Sequence, residues 1–308
     1  MVGNRASEAA IIRPMTSSGR LDRTGLVAFT ALVVLIGANL VAIRFSNREL
    51  APFWGAGLRF AVAAILFAAI VVVGRRPWPR GRLLAISIAY GLLSFAGFFA
   101  FLYWGLVEAP AAYGQIILST GPLLTLFLSV AHGTERFKPR VLIGSLVALV
   151  GMAVAFAGGG RADVPVASLV AILFAAASFA EGGIVVRGVR GADPIAVNGV
   201  ASLVGAVVLL ALSLVLGEPR ALPTRPETWV SLVYLITGGT IVVFLLFLFL
   251  VRRWQASSVA YQFVLAPLVA VVLAAILAGE PITPAFAVGA GLVILGVIVG
   301  ALLPDRRA

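Results

Sequence analysis

The sequence predicts an all-α integral membrane protein: ten transmembrane helices arranged as two inverted repeats of five. Three observations predict it. The 308 residues are 61% hydrophobic and 11% charged, with a mean hydropathy of +1.11; a soluble domain carries about 45–50% apolar and about 25% charged residues. Ten apolar stretches of bilayer-spanning length follow one another. The second half of the chain repeats the first, and five spans per half is an odd number.

A helix needs roughly 20 mainly apolar residues to cross the hydrocarbon core. With that ruler the first half spans at Thr24–Ile43, Phe53–Val73, Leu83–Leu102, Val107–Val130 and Val141–Ala157. The second half spans at Pro165–Val186, Pro194–Leu216, Trp229–Val251, Ser257–Ala278 and Pro284–Leu303. Pro77, Pro79, Pro139, Pro165, Pro194, Pro219, Pro223, Pro226 and Pro284 stand in or beside the gaps. Proline suits a helix's first turn and removes a hydrogen bond from its interior, so these positions support the cuts. The expected organisation is a cytoplasmic tail at 1–23, a first five-helix unit at 24–160, a second at 161–303 and a short cytoplasmic tail at 304–308. The first tail is polar, with Arg5, Arg13, Arg20 and Arg23 and no apolar core of a signal peptide.

Lys and Arg set the expected orientation. With the N-terminus inside, inner stretches hold 17 basic residues and outer loops 5, and Arg59 within a span completes the 23. Basic residues concentrate in cytoplasmic loops, so both termini are expected in the cytoplasm. The same rule accounts for the net charge of +11 without nucleic acid, which would need a basic stripe on a polar domain. There is no cysteine and a single histidine, His132. That removes thiolate chemistry and most metal and triad chemistry, so neither a metal nor a cofactor is expected. No GxxxxGK[ST] loop is present, so ATP is not the direct fuel of any activity.

The repeat is clearest at an offset of 145. Pro122 matches Pro267, Glu135 matches Glu280, Pro139 matches Pro284, Gly144 matches Gly289 and Gly151 matches Gly296. At an offset of 142, Pro52 lies over Pro194 and Asn39 over Glu181. Odd-numbered halves must insert in opposite directions. Inverted repeats are the construction of many secondary transporters, whose two halves rock about a site at the bilayer midplane.

The pattern resembles the drug/metabolite transporter superfamily, specifically its ten-span EamA-type members. The resemblance covers nearly the whole chain. It rests on a Pro in the fourth and ninth spans, then TERFKPRVLIG and AGEPITPAFAVG, then glycine-rich fifth and tenth spans. The opening GANLVAIRF and the second span PFWGAGLRFAVAAILF, with Pro52 and Arg59, are similar to the family's first two spans, although Ile36 stands where tryptophan is usual. The resemblance implies a bacterial inner-membrane secondary transporter of small organic solutes. It is closest in pattern to exporters of amino acids, including aromatic ones, with a monomer embedded in lipid as the simplest assembly.

Charges and polar groups inside spans are the candidate site, because a charge at a helix centre costs at least roughly 2.5–3.5 kcal/mol on insertion scales. Arg59 can contact a substrate or gating carboxylate, or act structurally near the outer interface. Glu181 can bind an ammonium or carry a proton, or bond Arg187 near the cytoplasmic end. Asn39 lies over Glu181 in the repeat. Gln115 in the fourth span and Tyr261 and Gln262 in the ninth sit at similar depth and are expected to line one cavity or to bond between helices. Tyr90 and the phenylalanines of the third span can form an apolar cage, with Tyr103 and Trp104 as an aromatic belt. Tyr234, Thr237 and Phe244 are spaced as one face of the eighth span. Pro122 and Pro267 are expected to kink their helices and gate the cavity. His132 is expected at headgroup level. A multidrug or quaternary-cation carrier, using Glu181 with Phe174 and Phe179, is the rival reading. A lipid-acting enzyme lacks clustered acid–base residues, and a channel lacks a visible filter ring.

Overall fold

A computed structural model describes residues 23–109, 111–157, 164–189, 191–278 and 282–302. The two tails, Glu280 of the repeat and the glycine run at 158–160 therefore lie outside the described residues, apart from Arg23, where the first helix starts. The described residues are helical, with no strand among them. We number the helices α1 (Arg23–Ser46), α2 (Pro52–Val73), α3 (Arg82–Leu106), α4 (Ala111–Leu118 then Gly121–Ala131), α5 (Pro139–Ala155), α6 (Val166–Val186), α7 (Pro194–Val215), α8 (Pro226–Arg253), α9 (Ala256–Val259 then Gln262–Ala278) and α10 (Pro284–Val297, continued by Ile298–Leu302). Among the described residues nine are long and apolar enough to cross a membrane; α5, with 17 residues, is shorter.

Prolines open α2, α5, α7, α8 and α10 at their first turn, where no intrahelical donor is lost. Asp193 caps α7 by accepting from the amides of Ile195 and Ala196, and Thr283 caps α10 through Phe286. The two expected proline kinks take different forms. Pro122 stands in the first turn of the second piece of α4, just past a break at Ser119–Thr120. Pro267 lies inside the long piece of α9, and the break in that helix comes earlier, at Ala260–Tyr261.

Two further irregularities leave no mark in hydropathy. A π-helical segment interrupts α3 at Gly91–Gly97 and another interrupts α8 at Thr237–Val242. Such segments widen the helix locally and recur at functional sites.

Packing follows small residues. Helices α5 and α10 cross with their backbones in direct contact. A Cβ added to Gly144 would meet Gly296 O and Gly300 at 2.5 Å, and one added to Gly151 would meet Val293 N at 2.7 Å. The repeat-matched glycines thus pair crosswise, Gly144 with Gly296 and Gly151 with Gly289. Without a hydrophobic drive between helices in lipid, close backbone approach supplies the association. Helix α2 packs along α7 in the same crosswise sense; α1 lies on α8 and α9, while α6 lies on α3 and α4.

Loops alternate between the two ends. Those following α2, α4, α6 and α8 meet at one end, held by Arg76–Asp193 at 2.8 Å, Arg187–Glu135 at 3.0 Å and Lys138–Gln255 at 3.1 Å. We call this the basic end. At the far end Glu218 accepts from the amides of Phe53 (3.2 Å) and Trp54 (2.8 Å), and Glu49 accepts from Thr224 and Arg225. The girdle of the bundle is aliphatic, with Ile65, Val207, Val230 and Ile276 exposed. Water would not tolerate a belt of that extent, and lipid requires it.

Candidate functional site

A column of aromatic rings runs along the boundary between the halves. Phe53 of α2 meets Tyr103 of α3 at 6.3 Å, and Tyr103 meets Phe99 at 6.0 Å. Phe99 meets Phe98 at 4.9 Å, and Phe98 meets Phe179 of α6 at 5.1 Å and Phe263 of α9 at 5.9 Å. Phe179 reaches Phe247 of α8 at 5.0 Å. A branch joins Phe99 to Phe60, Phe95 and Phe244, the last pair stacked at 4.0 Å. Most contacts are edge-to-face, the arrangement favoured by ring quadrupoles. The column ends at a narrow gap lined by Thr125, Phe179, Gly183, Phe247, Ala256 and Ala260, just beneath the basic end. A larger cavity, about 390 Å³, lies apart from it at the surface of the far end, between Phe45, Arg48, Arg225, Glu227 and Thr228.

Arg59 flanks this column. It lies seven residues into α2, about 10 Å along the helix at 1.5 Å per residue, and is 2% exposed. Its Nε donates to Thr240 Oγ1 at 2.6 Å and its Nη2 to Gly239 O at 3.0 Å. The guanidinium stands over the rings of Phe60 and Phe99, 5.0 and 5.3 Å from their centroids. Its Nη1 has no hydrogen-bond partner. Asn39 donates to the same Gly239 carbonyl at 3.1 Å, and its Oδ1 is buried without a partner. Gly239 and Thr240 belong to the π-segment of α8, and the missing side chain of Gly239 is what admits Asn39, whose amide fills that space. Tyr234 closes the group by donating to Leu35 O at 2.9 Å. The structure therefore brings Asn39, Arg59 and Tyr234 together.

The other sequence candidates fall elsewhere. Thr237 is exposed and returns its hydroxyl to Val233 O at 2.8 Å, on the same stripe as exposed Val230 and Val233. The expected face of Tyr234, Thr237 and Phe244 does not exist, because the π-segment starting at Thr237 changes the helical phase and turns Phe244 inward. Tyr261 points away from the column. Its hydroxyl pairs with Ser145 at 3.0 Å, donates to Val141 O at 3.2 Å and rests on Gly300, pinning α9 to the α5–α10 crossing. Gln262 is 1% exposed, with both amide atoms unpartnered. The piece of α4 carrying Gln115 packs on the long piece of α9 that Gln262 opens. Tyr90 is fully buried edge-on to Phe95, and its hydroxyl is unpartnered.

Glu181 pairs with His132 at 2.9 Å near the basic end. Arg187, the alternative partner for Glu181, is engaged by Glu135 instead, and His132 ties α4 to α6 through its ring contact with Glu181. Phe174 packs on Phe101 at the exposed face, and Tyr103, 9% exposed, is a column residue while Trp104 remains on the surface.

In the sequence Glu135 is a marker of the repeat. In the structure its carboxylate, 2% exposed, accepts from Ala256 N at 2.8 Å, Ser257 Oγ at 2.6 Å and Arg187 Nη1 at 3.0 Å. It bridges the α4–α5 turn to the start of α9 and the end of α6. An acid repeated in a loop of both halves is the available signal; the donating amides are not legible in sequence. Outside the membrane-spanning helices, Glu49 is held down to about 2 by the Thr224 and Thr228 hydroxyls, helped by the Arg225 and Thr224 amides, against the opposing effect of burial. Asp193 is also lowered: desolvation opposes ionisation, but Arg76 and the cap amides outweigh it.

Comparison with known proteins accounts for this architecture. The model of the EamA-like transporter family matches twice, at residues 23–157 and 166–301, five helices each time. The chain is 29% identical over 284 residues to a protein of Salmonella typhimurium named "Probable amino-acid metabolite efflux pump", covering 88% of this chain and 93% of that one. It is 28% identical to the inner membrane transporter YedA of Escherichia coli strain K12, over 88% of this chain and 89% of the relative. A transporter of Archaeoglobus fulgidus is 26% identical over 89% of this chain and 97% of its own. A solved crystal structure superposes with a TM-score of 0.77 at 22% identity, covering 92% of this chain and 98% of the other, and shares the fold. This multi-pass membrane protein belongs to the EamA-like transporter family, within the drug/metabolite transporter superfamily.

Proposed function

We propose that this transporter is a secondary carrier of the bacterial inner membrane that exports amino acids, aromatic and other neutral ones included, or related small metabolites, by alternating access. The observation that carries the reading is the aromatic column on the boundary between the halves. Its rings come from α2 and α3 on one side and α6, α8 and α9 on the other. Polar contacts bridging the halves cover each end: Glu135 with Ala256 and Ser257 at the basic end, Glu49 and Glu218 with their partners at the far end. Parting one set while the other holds would expose the column to one side only, which is the requirement for carrying a solute without a leak.

In this reading the two five-helix units, residues 24–160 and 161–303, are inverted copies, the basic end and both termini face the cytoplasm, and a monomer suffices. An efflux pump for amino-acid metabolites among the relatives supports the cargo class. The quaternary-cation alternative needs a carboxylate among the rings. Glu181 is instead paired with His132, and of its two neighbouring rings only Phe179 faces the column.

Purified protein in liposomes preloaded with L-phenylalanine or L-leucine should exchange the labelled amino acid in saturable fashion without ATP. Absence of exchange for the neutral amino acids and their keto acids would refute the proposal.

A further inference from the structure

We infer that Arg59 is a carboxylate-binding subsite, and that the cargo is therefore an acid whose carboxylate lies beside an apolar or aromatic group. This deepens the carrier reading above and rests on it.

The guanidinium is buried to 2% exposure but incompletely satisfied. It spends Nε on Thr240 and Nη2 on Gly239, and Nη1, with two N–H donors, has no partner. The acid–base contacts among the described residues are the Arg76–Asp193 and Arg187–Glu135 ion pairs and the His132–Glu181 contact, and none involves Arg59. Buried charges are ordinarily paired, because desolvating one without a counter-ion is costly. A purely structural arginine would be expected to saturate its fork on neighbouring carbonyls. This one keeps a donor pair free of any partner, on a residue flanked by Phe60 and Phe99.

The adjoining orphan has the complementary sign. Asn39 Oδ1 is a buried acceptor without a donor. Both side chains hang on the one carbonyl of Gly239, at 3.0 and 3.1 Å. A free donor for a carboxylate and a free acceptor for an ammonium therefore stand side by side, as the two groups on one α-carbon do. From there Phe99, Tyr103 and Phe98 continue as an apolar surface for a side chain. The site is one-sided: the repeat places Ala201 where Arg59 stands in the first half. In this conformation the group is sealed, so cargo reaches it after an end opens.

The test compares, at about pH 6, L-phenylalanine with L-phenylalaninamide, which at that pH keeps the ammonium and the ring and loses the carboxylate charge. Both compete for exchange of labelled L-phenylalanine into liposomes bearing the full chain. We expect the acid to compete roughly 100-fold better or more, since a site built for a group rejects an analogue lacking it. Thr240→Val, which removes the Nε anchor and keeps the charge, should cut that ratio about tenfold. Arg59→Gln should make the two compounds equal. Should Arg59→Gln fail to fold, the wild-type ratio decides. Equal competition by acid and amide in wild-type liposomes overturns the subsite and leaves the carrier reading standing. If no amino acid exchanges, the carrier reading falls; protection of the purified protein from heat by the acid but not the amide would then still support the subsite, and equal or absent protection would overturn it.

Discussion

Replacing Glu135 with alanine removes the acceptor that fastens the α4–α5 turn to α9. The carboxylate is 2% exposed and takes the Ala256 amide at 2.8 Å, the Ser257 hydroxyl at 2.6 Å and Arg187 at 3.0 Å. Hydrogen bonds to a charged group contribute about 1.5–3 kcal/mol each. The Arg187 arm is 26% exposed and counts for less because water screens it. The two well-buried bonds alone come to about 3–6 kcal/mol, and we take the narrower range of about 3–5 kcal/mol for breaking a buried pair. Conformations in which the turn has already parted from α9 lose none of this. The population open at the basic end should therefore rise by about 10²–10⁴-fold. The chain has no cysteine, so one introduced at Ala260, in the gap beneath the latch and 6% exposed, is a unique reporter. Its reaction with an impermeant maleimide presented to the basic end should accelerate by at least two orders of magnitude in Glu135→Ala, and by less in Glu135→Gln, which keeps an acceptor. An unchanged rate in correctly folded Glu135→Ala protein would refute the latch.

Gly144→Val forces a side chain into the backbone of α10 at Gly296 and Gly300; we expect a loss of about 1–3 kcal/mol or more from overpacking, read as a lower unfolding temperature in detergent, whereas Gly291→Ala, with open space around it, should be neutral. Glu49 has its folded pKa lowered from 4.5 to about 2, so the contribution it makes to closing the far end is complete above about pH 4.5 and is lost as pH falls toward 2. Accessibility of a cysteine at Ser46, buried beside Glu49 at 4% exposure, should accordingly rise across that window in wild-type background and be already high and pH-independent in Glu49→Gln. Cysteines at Arg136 and Arg220, both exposed, should label from opposite faces of sealed vesicles, Arg136 from the cytoplasmic face; labelling of both from one side would contradict the orientation.

Much of the fold was legible because lipid imposes simple arithmetic on a chain. Roughly 20 apolar residues make a span, and prolines mark the boundaries, as Pro52, Pro139, Pro194, Pro226 and Pro284 do at the first turns of their helices. The repeated glycines were also visible, and they mark the crossing of α5 with α10. Of the candidate site, Asn39, Arg59 and Tyr234 do converge. Thr237 does not join them, since helical spacing assumes 3.6 residues per turn and the π-segment breaks that phase. Tyr261 and Phe263 are two residues apart yet serve different neighbours, Tyr261 the α5–α10 crossing and Phe263 the aromatic column.

The sequence alone determined that this protein crosses a membrane about ten times in two related halves, because hydropathy and residue repetition are sums along the chain. Only the tertiary structure decided which rings form the column, that Glu135 and not Glu181 meets Arg187, and that Arg59 keeps a donor unpartnered. Those facts depend on contacts between residues 52 to 181 positions apart, set by backbone approach at glycines and by the π-segments within α3 and α8, and no property of a single helix encodes them.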